Sequence, residues 1–354
     1  MALKNLFPIL DGHNDTLTRL ASEERSFFNE SEKGHLDLPR AKRGGFAGGF
    51  FAIFSPASDQ NQLMDDHLVI TETGYEVRPL PAIEHSDAQQ FTLKVIASLF
   101  RLEAASEGQI KVVRTIDELT DCLQNGITAI ILHFEGAEAI DTQLDALDVF
   151  YQAGLRSLGI VWSRPNAFGH GVPFGFPRSP NTGPGLTTAG QDLVRACNRL
   201  GILIDLAHIN EQGFHDVARL SDAPLVVTHA AVHTLCPSTR NLTDHQLDAI
   251  KASDGIVGLN FDVADLRPDA HINPNTPLTL MVQHIDYLVE HIGIDCVGFG
   301  SDFDGGITLA QELRDVSGLP NLIAVLREHG YDDTSLRKLT HENWLRVLRK
   351  TWKH

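Results

Sequence analysis

The residues of this chain best equipped for chemistry fall in five short motifs. Asp11-Gly12-His13-Asn14-Asp15 follows one apolar run, and His133-Phe134-Glu135-Gly136 closes another. Asp205-Leu206-Ala207-His208 and Val226-Val227-Thr228-His229 close two more. Gly298-Phe299-Gly300-Ser301-Asp302-Phe303-Asp304-Gly305 ends a fifth. From them we take as candidates three imidazoles, His13, His208 and His229, and three carboxylates, Asp15, Glu135 and Asp302. Packed together without a metal, these groups would perturb one another at high cost. Two divalent cations, bringing a charge of about +4, would satisfy them all. Imidazole nitrogen with carboxylate oxygen suits zinc and accommodates manganese or iron. His13 and Asp15 are alternate residues of an extended chain, so both can face one side. A glutamate can bridge two metals, one on each oxygen.

Each motif alone is weak. An H-x-D pair arises easily by accident, Glu135 reads equally well as a helix-start carboxylate, and His208 and His229 as hydrogen-bonded core histidines. Asp302 and Asp304 also fit a D-x-D-G turn. What they share is position, since every one stands where an apolar run ends. Other histidines carry less. His133 lies inside a run and belongs to the core or supports a ligand; His35, His67, His85, His215, His245 and His291 read as surface residues.

The elements that must position these groups follow from the apolar runs, at 7–10, 46–54, 127–134, 155–162, 202–207, 225–228, 256–261 and 296–300. They are continuous rather than alternating, the pattern of parallel strands buried on both faces. A short extra strand is expected at 110–113. Helical spacing appears at 87–105, after the capping pair Thr115 and Glu118, and at 188–200, 243–253, 276–292 and 333–352. The alternation predicts one α/β domain over residues 1–354, its eight strands closed into a (β/α)₈ TIM-type barrel of the metal-dependent hydrolase kind. In such a barrel the C-terminal strand ends meet at one mouth, which delivers His13, Asp15, Glu135, His208, His229 and Asp302 to one point. The segment 163–190 carries six glycines and five prolines and is expected to be a lid or pocket wall at that mouth.

Bulk composition narrows the partners. Lys plus Arg is 29 and Asp plus Glu is 46, a net charge of −17 in 354 residues. Such a chain repels nucleic acid and anionic membranes. Four scattered cysteines without a C-x-x-C pair suggest buried thiols in a reducing compartment, not a disulfide framework. The short N-terminal apolar run, ended by Asp11, is not a secretory signal, and no apolar run reaches membrane-spanning length. A cytoplasmic location is therefore expected.

The set DGHND (11–15), FEG (134–136), DLAH (205–208), THAAVH (228–233), TRNLTD (239–244) and GFGSDFDG (298–305), in this order, resembles the membrane (renal) dipeptidase family of metallopeptidases. The resemblance runs from Asp11 to the C-terminal helix. It implies a distorted (β/α)₈ barrel, commonly a homodimer, with two Zn²⁺ per chain. His13 and Asp15 match the ligands of the first zinc, His208 and His229 those of the second, and Glu135 the bridging carboxylate. Arg240 matches the arginine that binds the dipeptide's C-terminal carboxylate, and Asp302 the aspartate that handles protons. The implied activity is hydrolysis of small dipeptides, with a D-residue tolerated at the C-terminal position.

General chemistry agrees with these assignments. Paired zincs acidify water and polarise a carbonyl, a carboxylate can carry the proton, and a guanidinium fork matches a carboxylate. One position departs from the family. Where animal members carry a histidine that contacts substrate, this chain has Trp162, which can line a pocket and donate one hydrogen bond but cannot carry positive charge. Asn166, Arg164 and His170 are candidates for part of that role. The alternative activity is the same metal barrel acting on another amide, a lactone or an ester.

Overall fold

The computed structural model describes residues 7–353. Eight parallel strands form the barrel. They are β1 (Ile9–Asn14), β2 (Phe46–Phe54), β3 (Thr128–Glu135), β4 (Leu155–Gly159), β5 (Leu203–Asp205), β6 (Val226–Ala230), β7 (Ile256–Leu259) and β8 (Val297–Phe299). The hydrogen-bonded order runs β2-β1-β8-β7-β6-β5-β4-β3, and β3 returns to β2, which closes the ring. The eight expected runs are the eight barrel strands, with shifted ends. The first extends to Asn14, so the H-x-D motif begins inside a strand, and the fourth stops at Gly159 rather than 162. The extra strand Ile110–Val112 pairs with the start of β3, below the stretch that pairs with β4.

Closure explains the continuous apolar runs. All eight residues of β3 are buried. Ala129 and Ile131 pack inside the barrel with Leu10, Phe50, Val226 and Ile256, whereas Ile130, Leu132 and Phe134 belong to the layer between strands and helices. The period of two then puts His133 and Glu135 in the inward row.

The C-terminal segment expected as one helix has three parts: Asp333–Arg337, a π-helical turn Lys338–Glu342, and Asn343–Thr351. A π turn inserts extra backbone and rotates the helix beyond it. Here it feeds Trp344 into the barrel floor. Its indole Nε1 donates to the Phe299 carbonyl at 3.2 Å and its ring lies 5.1 Å from Phe50. Glycines make room for it: a Cβ at Gly298 would stand 2.7 Å from the indole nitrogen, and one at Gly12 would stand 2.5 Å from the ring.

A small antiparallel sheet, Leu68–Ile70, Tyr75–Val77 and Gly175–Phe176, was not foreseen, because its strands are only two or three residues long. It ties segment 163–190 to the hairpin at 68–77. The four cysteines are buried and unbridged. Among the described residues, no helix is long and apolar enough to cross a membrane. Trp344→Ala should lower the unfolding free energy by about 3–5 kcal/mol, the usual loss for emptying a buried aromatic site; urea unfolding followed by circular dichroism measures it.

Candidate active site

The strand ends converge as the barrel requires. His208 Nε2 stands 2.9 Å from Glu135 Oε1, and His229 Nε2 and His13 Nε2 stand 3.7 and 3.8 Å from the same oxygen. His13 Nε2 is 3.4 Å from Asp15 Oδ2, and the ring nitrogens of His208 and His229 approach to 3.0 Å. Two donor triads result, His13/Asp15/Glu135 and Glu135/His208/His229, which share the glutamate. A third grouping, His13/Asp205/His229, is geometrically close. Both Asp205 oxygens are already engaged, so it offers a poorer site.

Positioning of the imidazoles is explicit. Asp205 Oδ1 accepts from the amides of Ala207 and Thr228, and Oδ2 accepts the Thr228 hydroxyl at 2.7 Å. That hydroxyl has spent its one proton, so its contact with His229 Nδ1 at 2.9 Å must be accepted from an Nδ1–H. The His229 Nε2 lone pair is then left facing the centre. His208 Nδ1 lies in hydrogen-bond contact with Ser163 Oγ at 2.8 Å, which orients its ring. Asp11 takes the amide and hydroxyl of Ser301 at 2.7 and 2.8 Å, and the Asp302 amide donates to the His13 carbonyl at 2.9 Å. Those bonds lock the ends of β1 and β8 together. His208, Asp302 and Asp304 all hold left-handed backbone, at φ of 62°, 60° and 68°, an uncommon conformation that marks constrained sites.

The electrostatics call for positive charge at the centre. Burial works against a proton on His13, but Glu135, Asp15 and Asp302 outweigh it and push its pKa up to about 10. Burial, together with Asp15, holds Glu135 well above the usual carboxylate range. Asp302 is pushed up to about 7 by burial, against the pull of His13 and with the push of Asp15. Burial, then nearby cations, keep His208 and His229 far below the usual imidazole value, in the neutral form a metal requires. His13 Nε2 and Asp15 Oδ1 are buried without any hydrogen-bond partner. Buried lone pairs without donors, in an imidazole–carboxylate set, fit a metal.

The centre opens into a cavity of about 740 Å³, lined by Asp15, Glu135, His208 and Asp302 at the base and by Phe54, Trp162 and Phe174 on one side. Arg240 lines it too, 6% exposed, with a single side-chain hydrogen bond among the described residues, at 3.4 Å to the His229 carbonyl. Trp162 lines the cavity with its ring 5.8 Å from that of His208.

Asn166 is a correction. Its amide donates to the Ile160 carbonyl at 2.8 Å, and its carbonyl accepts from the amides of Phe168 and Gly169, so it folds its own loop and does not line the cavity. His170 points to the Gly185 carbonyl, and Arg164 is buried on Glu138 behind Trp162. His35, expected at the surface, is half-buried. Its Nδ1 accepts the Asp304 amide at 3.0 Å, and burial keeps it neutral. Asp304 also holds Thr16 and Arg25, so it secures the loop after β8. Sequence reasoning missed Asp11 and Asp205 as supports, although each stands two or three residues before a ligand-type histidine, as in DGH and DLAH.

A closed α/β barrel with a buried imidazole–carboxylate centre at its C-terminal mouth is a metal-dependent hydrolase. The sequence pattern of "Membrane dipeptidase (Peptidase family M19)" matches residues 1–354, and the chain belongs to that family of metallodipeptidases. It is 49% identical to a metallopeptidase from Rhodobacter sphaeroides solved with a phosphinate mimic of the dipeptide L-Ala-D-Ala, with a TM-score of 0.93 over 98% of this chain and 100% of that one. Over 257 residues it is 49% identical to an uncharacterized protein from the pqqA 5' region of Klebsiella pneumoniae, 73% of this chain and 94% of that protein. Over 290 residues it is 40% identical to an uncharacterized protein from the PQQ-III 3' region of Acinetobacter calcoaceticus, 80% of this chain and 90% of that protein. Because Thr228 fixes the His229 tautomer, Thr228→Val should weaken divalent-metal retention by about 10–100-fold, read by competition with a chromogenic chelator.

Proposed function

We propose that the chain is a binuclear zinc dipeptidase that cleaves the peptide bond of small dipeptides and accepts a D-residue at the C-terminal position. One observation carries this reading: two buried donor triads share Glu135, and the same cavity holds a guanidinium with no carboxylate in ion-pair reach among the described residues. His13 and Asp15 would hold one zinc, His208 and His229 the other, and Glu135 both. Tolerance of a D-residue draws support from the L-Ala-D-Ala mimic in the Rhodobacter sphaeroides relative. Four buried free thiols support a cytoplasmic setting.

When bound, the zinc pair supplies Lewis acidity that makes water nucleophilic near neutral pH and polarises the scissile carbonyl. Arg240 would take the terminal carboxylate on its planar fork and so fix which peptide bond lies over the centre. Asp302 would accept the proton of the attacking water on its carboxylate, where Oδ2 also takes a hydrogen bond from Asn260 at 3.2 Å, and return it to the leaving amine. Phe54, Trp162 and Phe174 would shield the bond from bulk water, with segment 163–190 as the wall behind them.

The purified protein should carry about two zincs per chain and cleave L-Xaa-D-Xaa and L-Xaa-L-Xaa dipeptides. Chelation should abolish turnover and zinc should restore it. Cleavage of lactones or esters but of no dipeptide would instead favour the alternative substrate class. Asp302→Asn should keep its metal and fold yet lose about 10²–10⁴-fold in kcat; metal analysis beside steady-state kinetics separates this from structural damage.

A further inference from the structure

Arg240 is not alone on its side of the cavity. Asp262, which caps the short helical turn Val263–Leu266 after β7, and Asp265 within that turn line it as well. One oxygen of each carboxylate is committed: Asp262 Oδ1 accepts the amides of Ala264 and Thr308, each at 3.2 Å, and Asp265 Oδ1 accepts the Ser238 hydroxyl at 3.1 Å. Among the described residues, nothing donates to the Oδ2 of either. Arg240, more than nine-tenths buried and nearly without partners, points independently to an anionic group as the cavity's occupant.

The charges then fail to balance. Once a substrate carboxylate rests on Arg240, that side of the cavity holds three carboxylates against one guanidinium. Uncompensated charge in a buried site is costly, and a cation placed among the carboxylates removes the imbalance. In a dipeptide, the side chain of the C-terminal residue leaves the same carbon as the carboxylate, so it lies next to Arg240. The terminal ammonium is separated from that carboxylate by the scissile bond and so would sit further from Arg240. Burial and the neighbouring Asp265 push Asp262 up to about 7, the response of a carboxylate short of positive charge.

We propose that Asp262 and Asp265 form the subsite for the side chain of the dipeptide's C-terminal residue and select a cationic one, such as lysine or arginine. This rests on the dipeptidase reading above.

The test is kcat/KM for L-Ala-Xaa with Xaa as Lys, Ala or Glu, each in L and D form, on the zinc-loaded enzyme. Lysine should exceed alanine by about tenfold, with glutamate below alanine. Asp262→Asn and Asp265→Asn should each shrink the lysine-to-alanine ratio. That ratio is taken within one preparation, so a partly misfolded fraction cancels. Equal rates for lysine and alanine, a preference for glutamate, or a ratio unchanged in both variants would overturn the subsite while leaving the dipeptidase reading intact. Turnover of none of the six peptides would overturn both.

Discussion

Everything in this structure answers to one oxygen. Glu135 Oε1 has three imidazole nitrogens within 3.8 Å, at the buried base of the cavity. Ionisable groups this crowded are unstable together unless positive charge binds among them, and they disperse unless the backbone forbids it. The closed ring of parallel strands forbids it. Each ligand-type residue sits at or just beyond a strand end that hydrogen-bonds to its neighbours, so no single one can withdraw without breaking the ladder.

Around that centre a second set of polar groups removes the remaining freedom. Asp205 works through Thr228 on His229, Ser163 on His208, and Asp11 through Ser301 on the segment that carries Asp302. Asp304 performs the equivalent task for the loop after β8, with Thr16, Arg25 and His35 as its partners. The left-handed backbone at His208, Asp302 and Asp304 stores about 1–3 kcal/mol at each position. Strain of that size persists only where the surroundings over-determine it, and the apolar layer between strands and helices, with Trp344 closing the floor, provides that rigidity.

The cavity divides into a base and walls with different duties. The base is the imidazole–carboxylate set, whose two donor triads could each hold a metal ion. The walls are aromatic on one side, with Phe54, Trp162 and Phe174, and charged on the other, with Arg240, Asp262 and Asp265. Trp162 brings area and one donor but no charge; the charged side chains of the walls stand on the opposite side. The imidazole–carboxylate base and the charged wall thus occupy different parts of one cavity.

Much of this was legible in the chain itself. Continuous apolar runs fixed the eight strands, because a strand buried on both faces has no polar side to show, and polar motifs at the run ends located the centre, because parallel barrels put all those ends at one mouth. Sequence alone could not say which way a side chain near the mouth would turn. Asn166 looked available to substrate, but its amide is consumed by its own loop, a local choice made by the available backbone partners. His35 looked exposed until Asp304, 269 residues away, claimed it. Asp262 and Asp265 carried no motif at all; only closure of the barrel set them beside Arg240. Strand identity is written in periodicity, which is local. Partnership between distant polar groups is decided by tertiary contact, because any one of them could satisfy its hydrogen bonds in several ways until packing leaves a single arrangement.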